Sequence, residues 1–155
     1  MRAIAIKARF TISLIWVQRN VPKMPKNQSN NNMNHTQFLE DFVDTYVADP
    51  SKRAITETGV CQYLMDDGRK CAIGRHILPG TYNKTCENQS AYGLVMNNPS
   101  MFPDWMSKLN KSFINSVQSL HDGTLFWDDN GLTSRGLKCL NELRVEAASL
   151  DQENC

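Results

Sequence analysis

The sequence predicts a small α+β domain, mainly helical, with about three main helices and one β-hairpin. Two observations carry that class. Residues 34–48, 104–122 and the stretch from 133 onward repeat apolar side chains at helical spacing. Between Cys61 and Tyr82 two apolar runs flank Asp66-Asp67-Gly68 and end at Pro79-Gly80, which is hairpin punctuation. Length agrees with one domain: a chain of 155 residues buries roughly 68–70% of its unfolded surface without metal or disulfide staples.

The first helix opens on Asn34. Asn34 as N-cap with Gln37 at N3 makes a capping box, and Met33 before it packs on Phe38 as a hydrophobic staple. Phe38, Leu39, Phe42, Val43, Tyr46 and Val47 form one stripe. Asp49-Pro50 ends the helix, because the residue before proline is pushed out of the α region.

The hairpin follows. A three-residue loop with Gly68 at the left-handed position sets Met65 opposite Arg69, Tyr63 opposite Cys71 and Cys61 opposite Ile73. Alternation then puts Cys61, Tyr63, Cys71 and Ile73 on one apolar face, with Gln62, Leu64, Lys70 and Ala72 on the other. In this register the two thiols are diagonal neighbours about 7–8 Å apart at Cα, which disfavours a bridge.

From Thr81 to Pro103 the chain reads as loop, with Ala91–Met96 as a short helix or strand. Asp104 caps a helix whose buried face is Trp105, Leu109, Phe113, Val117 and Leu120, and Gly123 ends it. Asp128-Asp129-Asn130-Gly131 is a turn. The last helix starts at Thr133, with Leu132 stapling Leu137 and a stripe of Leu137, Leu140 and Leu143 beside Cys139.

Charge divides the chain at about residue 32. Residues 1–32 hold Arg2, Lys7, Arg9, Arg19, Lys23 and Lys26 and no acid, whereas the remaining 123 hold eleven basic groups against all 16 acidic ones, a net −5. The upstream stretch, ending in PKNQSNNN, reads as a basic extension that is disordered or foreign to the functional protein; residues 33–150 are the single globular domain. An acidic body argues against nucleic acid as partner. No apolar run approaches the roughly 20 residues that span a bilayer, so the chain reads as non-membrane and cytoplasmic.

Five cysteines and three histidines raise two chemistries. For a metal, the candidate ligands are Cys61, Cys71, His76 and Cys86, with His121 in reserve. Their spacing lacks the C-x₂₋₄-C pairs of structural zinc sites, so the cysteines read first as small buried hydrophobes in a reducing compartment and no cofactor is called for, with zinc as the alternative. For catalysis, a Cys71 thiol with His76 or His121 as base, oriented by Asp122, holds the necessary parts. His121-Asp122 also has a plain reading, a histidinium favoured by a helix C-terminus followed by an exit turn. Gly68-Arg69-Lys70 and Gly74-Arg75 suggest phosphate contacts but match no phosphate-loop motif and read as a solvated hairpin tip. Trp105, Trp127 and Tyr92 read as core.

Cys61-x-Tyr63, then Gly68-x-Lys70-Cys71-Ala72-Ile73-Gly74 and Ile77, with Leu120-His121-Asp122 and Trp127 downstream, resembles a group of small uncharacterised proteins of tailed bacteriophages and prophages. The resemblance covers about residues 34–145. It implies a phage or prophage gene and brings no known activity with it; the reading favoured for the chain is a non-enzymatic accessory protein of the bacterial cytoplasm that binds a host or phage protein. The alternative is a small zinc- or thiol-dependent enzyme using Cys61, Cys71, His76 and His121.

Overall fold

The computed structural model of the chain describes residues 32–153, so the expectations for the basic extension lie, but for Asn32, outside the described residues. Helix α1 spans His35–Phe42 and opens on the full capping box, Asn34 accepting from the Gln37 amide and Gln37 accepting from that of Asn34. Its last turn widens into a π-helical segment, Val43–Val47, closed by the Ala48 amide donating to the Val43 carbonyl. Phe38, Leu39, Phe42 and Tyr46 are all buried as a result.

Helix α2 is Ala91–Asn97, α3 is Lys111–Asp122 and α4 is Ser134–Glu153. Strands β1 (Trp127–Asp128) and β2 (Gly131–Leu132) pair antiparallel, Trp127 with Leu132 and Asp128 with Gly131. This is an α+β domain of helices with one short hairpin. The ladder stands at the predicted 128–131 turn, not at the predicted hairpin.

At that predicted hairpin the register is kept only near the tip. Met65 pairs with Arg69, Leu64 bridges Lys70, and the Cys71 amide reaches the Tyr63 carbonyl at 3.3 Å. Gly68, at φ +89°, takes the left-handed position. Beyond Cys71 the second strand stops: Gly74–His76 form a 3₁₀ turn, and Cys61 bridges Ile55 instead of facing Ile73. The reason is Gly74. A Cβ there would lie 1.8 Å from the Tyr63 carbonyl oxygen, so the chain folds under the first strand rather than beside it. Ala72, assigned by alternation to the outer face, is therefore buried with Cys71 and Ile73.

One helix boundary also moves, and one helix turns a different face to the core. Asp104 does not cap α3; Asp104–Lys108 is a 3₁₀ turn, and Asn110 starts the helix by accepting from the Ser112 and Phe113 amides at 2.8 and 3.2 Å. In α4 the predicted stripe is rotated: Leu137 is 49% exposed, while Gly136, Leu140, Leu143 and Ala147 face the core. Gly136 sits so close to the Phe126 carbonyl that a Cβ would approach to 2.3 Å, which turns the next residue outward.

His35 locks the helices together. Its Nδ1 lies 2.8 Å from the Asp151 carboxylate on α4, and its Nε2 accepts from the Asn110 amide at the start of α3. Trp105 and Trp127 are buried, as expected, and Tyr92 packs partly against the core. Among the described residues no helix is long and apolar enough to cross a membrane.

Candidate functional site

Three sequence-predicted residues converge where the last turn of α3 meets the Cys61 segment. Cys61 is placed by its bridge to Ile55, and His121 and Asp122 by the end of α3. The Cys61 Sγ lies 3.8 Å from His121 Nδ1, and Asp122 Oδ1 lies 2.8 Å from that same nitrogen. Sγ, Nδ1 and a carboxylate oxygen all fall within 4.8 Å of one another, the one His/Cys/Asp/Glu cluster of metal-holding size among the described residues.

Gln118, one turn earlier on the same face of α3, braces this group. Its Oε1 accepts from the buried Ile73 amide at 3.2 Å, which turns its amide nitrogen toward Cys61 Sγ at 3.2 Å and Asp122 Oδ1 at 2.7 Å. Arg53 closes the helix end. Its Nε donates to the His121 carbonyl at 2.9 Å, Nη2 donates to the same oxygen, and the guanidinium lies 4.4 Å from the centre of the Trp127 ring. Trp127 in turn donates its indole N–H to the Leu120 carbonyl at 2.6 Å.

His121 is fully buried. Burial holds its pKa below the ordinary value, against the opposing pull of Asp122, so the ring is neutral. The histidinium expected at this helix end is thereby corrected: no water reaches the ring to stabilise its charge. Nε2 has no hydrogen-bond partner among the described residues. The Cys61 thiol is held far above the usual range, first by the neighbouring Cys71 thiol, then by burial and by the Asp122 carboxylate.

Cys61 and Asp122 open onto a cleft of about 350 Å³, whose far wall carries Tyr63, Glu87 and Ser90. Glu87 is fixed there by accepting from the Tyr63 amide, at 3.0 and 3.1 Å, and from the Tyr82 hydroxyl.

The other predicted site residues go elsewhere. Cys71 is fully buried beside Cys61, and its sulfur accepts from the Gly74 amide at 3.3 Å. His76 lies between the Phe38 and Trp105 rings, its Nε2 3.5 Å from the Asp41 carboxylate. Cys86 is buried against the Met101 sulfur at 3.9 Å. The four-residue ligand set Cys61, Cys71, His76 and Cys86 is thus divided among three environments. Gln118 and Arg53 were not singled out by the sequence; the signal for Gln118 was its spacing, since Gln118, His121 and Asp122 stand at i, i+3 and i+4 on one helix.

No protein-family model, no curated protein and no solved structure matches this chain.

Proposed function

We propose that Cys61, His121 and Asp122 hold one zinc-class divalent ion and that the protein is a zinc-dependent rather than a thiol-dependent enzyme. The observation supporting this is the convergence of Sγ and Oδ1 on one imidazole nitrogen. A nucleophilic cysteine needs its histidine base to face it with one nitrogen and the orienting carboxylate with the other. Here both crowd Nδ1, which carries one proton at most and satisfies one of them. An ion satisfies all three.

The spacing fits such an ion. With metal–ligand bonds of about 2.0–2.3 Å, tetrahedral ligand atoms sit about 3.4–3.6 Å apart; the distances of 2.8 and 3.8 Å bracket that value. Three protein ligands would leave a fourth position for water, as in catalytic zinc centres, and two of the three, Cys61 and Asp122, line the cleft. A zinc ion there would supply a water acidified toward neutral pH. Gln118 would fix two ligands, and the high thiol pKa would fall on coordination.

Metal analysis of the full chain purified without chelator tests this. About one zinc per chain is expected, lost in Cys61→Ala and Asp122→Asn proteins that keep their helical circular dichroism. Wild-type protein that takes up no zinc after loading overturns it.

A second reading keeps the accessory role, a phage or prophage protein binding a host or phage partner. Its support is the hairpin resemblance together with the outward face of α4, where Leu137 and Val145 are 49% and 73% exposed. Co-purification from infected cells tests it, and partner recovery that survives Leu137→Ser/Val145→Ser argues against this face.

A further inference from the structure

We propose that the cleft between the π-helical turn and the 65–70 hairpin tip binds a small compound carrying two or more linked phosphates. This cleft, of about 520 Å³, is lined by Lys52, Arg69, Lys70 and Arg75, with Asp67 as its one acid. Beyond residue 32 the chain has eleven basic groups on a net-negative body, and four of them meet here. The volume falls in the range of small-ligand sites, about 300–1,000 Å³.

The cations are braced by the protein rather than spent on it. Asp67 is consumed within the turn, accepting from the Arg69 amide at 2.9 Å and its Nε at 2.7 Å. Arg69 Nη1 donates to the Arg53 and Ile55 carbonyls at 2.9 and 3.3 Å. Arg75 uses Nε on the Asp41 carboxylate, at 3.1 Å, and Nη1 on the Asp41 carbonyl, at 3.0 Å. In both guanidinium groups Nη2 has no hydrogen bond among the described residues. Each arginine is therefore held through Nε and Nη1 and keeps Nη2 to donate to a phosphate oxygen, at little entropic cost because the group is already fixed.

Lys70 adds a point charge on a fixed backbone. Its chain is tied by the bridge to Leu64 and by the Tyr46 hydroxyl donating to its carbonyl at 2.6 Å, and its ammonium has no acidic partner among the described residues. Lys52 makes only a 3.6 Å contact with Asp49. The lining itself is net +3, and Asp41 and Asp49, which pair with Arg75 and Lys52 from outside it, bring the group to +1, so the Lys70 ammonium and the two free Nη2 groups are what meets a compact multivalent anion. A nucleic acid would have to extend over the acidic remainder of the domain.

Calorimetric titration of the full chain with inorganic phosphate, pyrophosphate, tripolyphosphate and a single-stranded DNA 12-mer tests the site. Affinity is expected to rise from phosphate to tripolyphosphate and to fall with added salt. Lys52→Gln/Lys70→Gln, with an unchanged melting temperature, should weaken pyrophosphate at least tenfold; Lys70→Gln alone gives the same direction should the double variant be unstable. Asp122→Asn, which removes the proposed metal ligand, should bind pyrophosphate as wild type does and so separates this cleft from chelation at the other site. No pyrophosphate or tripolyphosphate binding, binding undiminished in the lysine variants, binding lost in Asp122→Asn, or tight DNA binding without the linked phosphates would each overturn it.

Discussion

The Tyr46 ring meets the His121 imidazole edge to face, with centroids 4.8 Å apart and planes at 83°, while its hydroxyl reaches away to the Lys70 carbonyl. One side chain therefore walls the buried side of the Cys61–His121–Asp122 cluster and ties down the hairpin tip. Its position depends on the widened turn at Val43–Val47.

Tyr46→Phe separates the two roles. It keeps the ring against His121 and removes one hydrogen bond, which should cost about 0.5–1.5 kcal/mol in urea unfolding and leave zinc uptake unchanged. Tyr46→Ala also empties a fully buried site and should cost about 3–5 kcal/mol. Equal losses in the two variants would show that the ring packing contributes little.

Gly74 and Gly68 should respond differently to alanine although both belong to the same hairpin. At Gly74 the added methyl meets the Tyr63 carbonyl oxygen, backbone that cannot swing away; a loss of at least about 2 kcal/mol is expected. At Gly68 the space is open and only the positive φ opposes a side chain, so roughly 1 kcal/mol is expected. Thermal melts of the two single variants decide, and a Gly68→Ala protein the less stable of the pair would refute the close-approach account.

Local signals in the sequence determine structure where neighbours along the chain decide it. The Asn34–Gln37 capping box, the Gly68 turn and the tip register all depend on residues a few positions apart. What failed depended on contacts across the fold. Nothing near Cys71 in sequence says that Gly74 must clear the Tyr63 carbonyl, so alternation alone carries the strand on to Ile73; nothing near Leu137 says that Gly136 must fit against Phe126. The candidate site divides the same way. His121-Asp122 was legible as a pair, but its union with Cys61 rather than with His76 or Cys86 spans sixty residues and follows from where α3 ends.

Acid should destabilise the fold through His76. Burial, then the Arg75 and Lys70 charges, lower its pKa to about 3, and the ring sits against Phe38 and Trp105 with Asp41 at its Nε2. The folded state keeps it neutral while the unfolded chain takes up a proton near pH 6.5. Its contribution is thus fully present above that pH and is lost on acidification toward pH 3, by up to about 1.4 kcal/mol per pH unit. Asp41, whose pKa burial raises, acts oppositely once carboxylates titrate, so the window free of carboxylates is roughly pH 6.5 to 5; buried His121 acts in the same direction there, and the difference between variant and wild type isolates His76. Denaturant titrations there should show a shallower slope for His76→Leu than for wild type. An unchanged slope would remove His76 as the source.

Gln118 should act on zinc binding without touching the ion. Its carbonyl holds the Ile73 amide and its nitrogen holds Cys61 and Asp122. Gln118→Ala leaves that buried amide unpaired, at about 1–3 kcal/mol, and frees both ligands, which should weaken zinc by about 10–100-fold. Gln118→Glu keeps an acceptor for Ile73 but sets a carboxylate against Asp122 and the thiol. Its loss of stability should be largest in metal-free protein and shrink on adding zinc, since a cation offsets the crowded negative charge. Melting temperatures with and without zinc distinguish this from simple packing: zinc should raise the melting temperature of Gln118→Glu more than that of Gln118→Ala. Equal shifts in the two, or none, would assign Gln118 to the core alone.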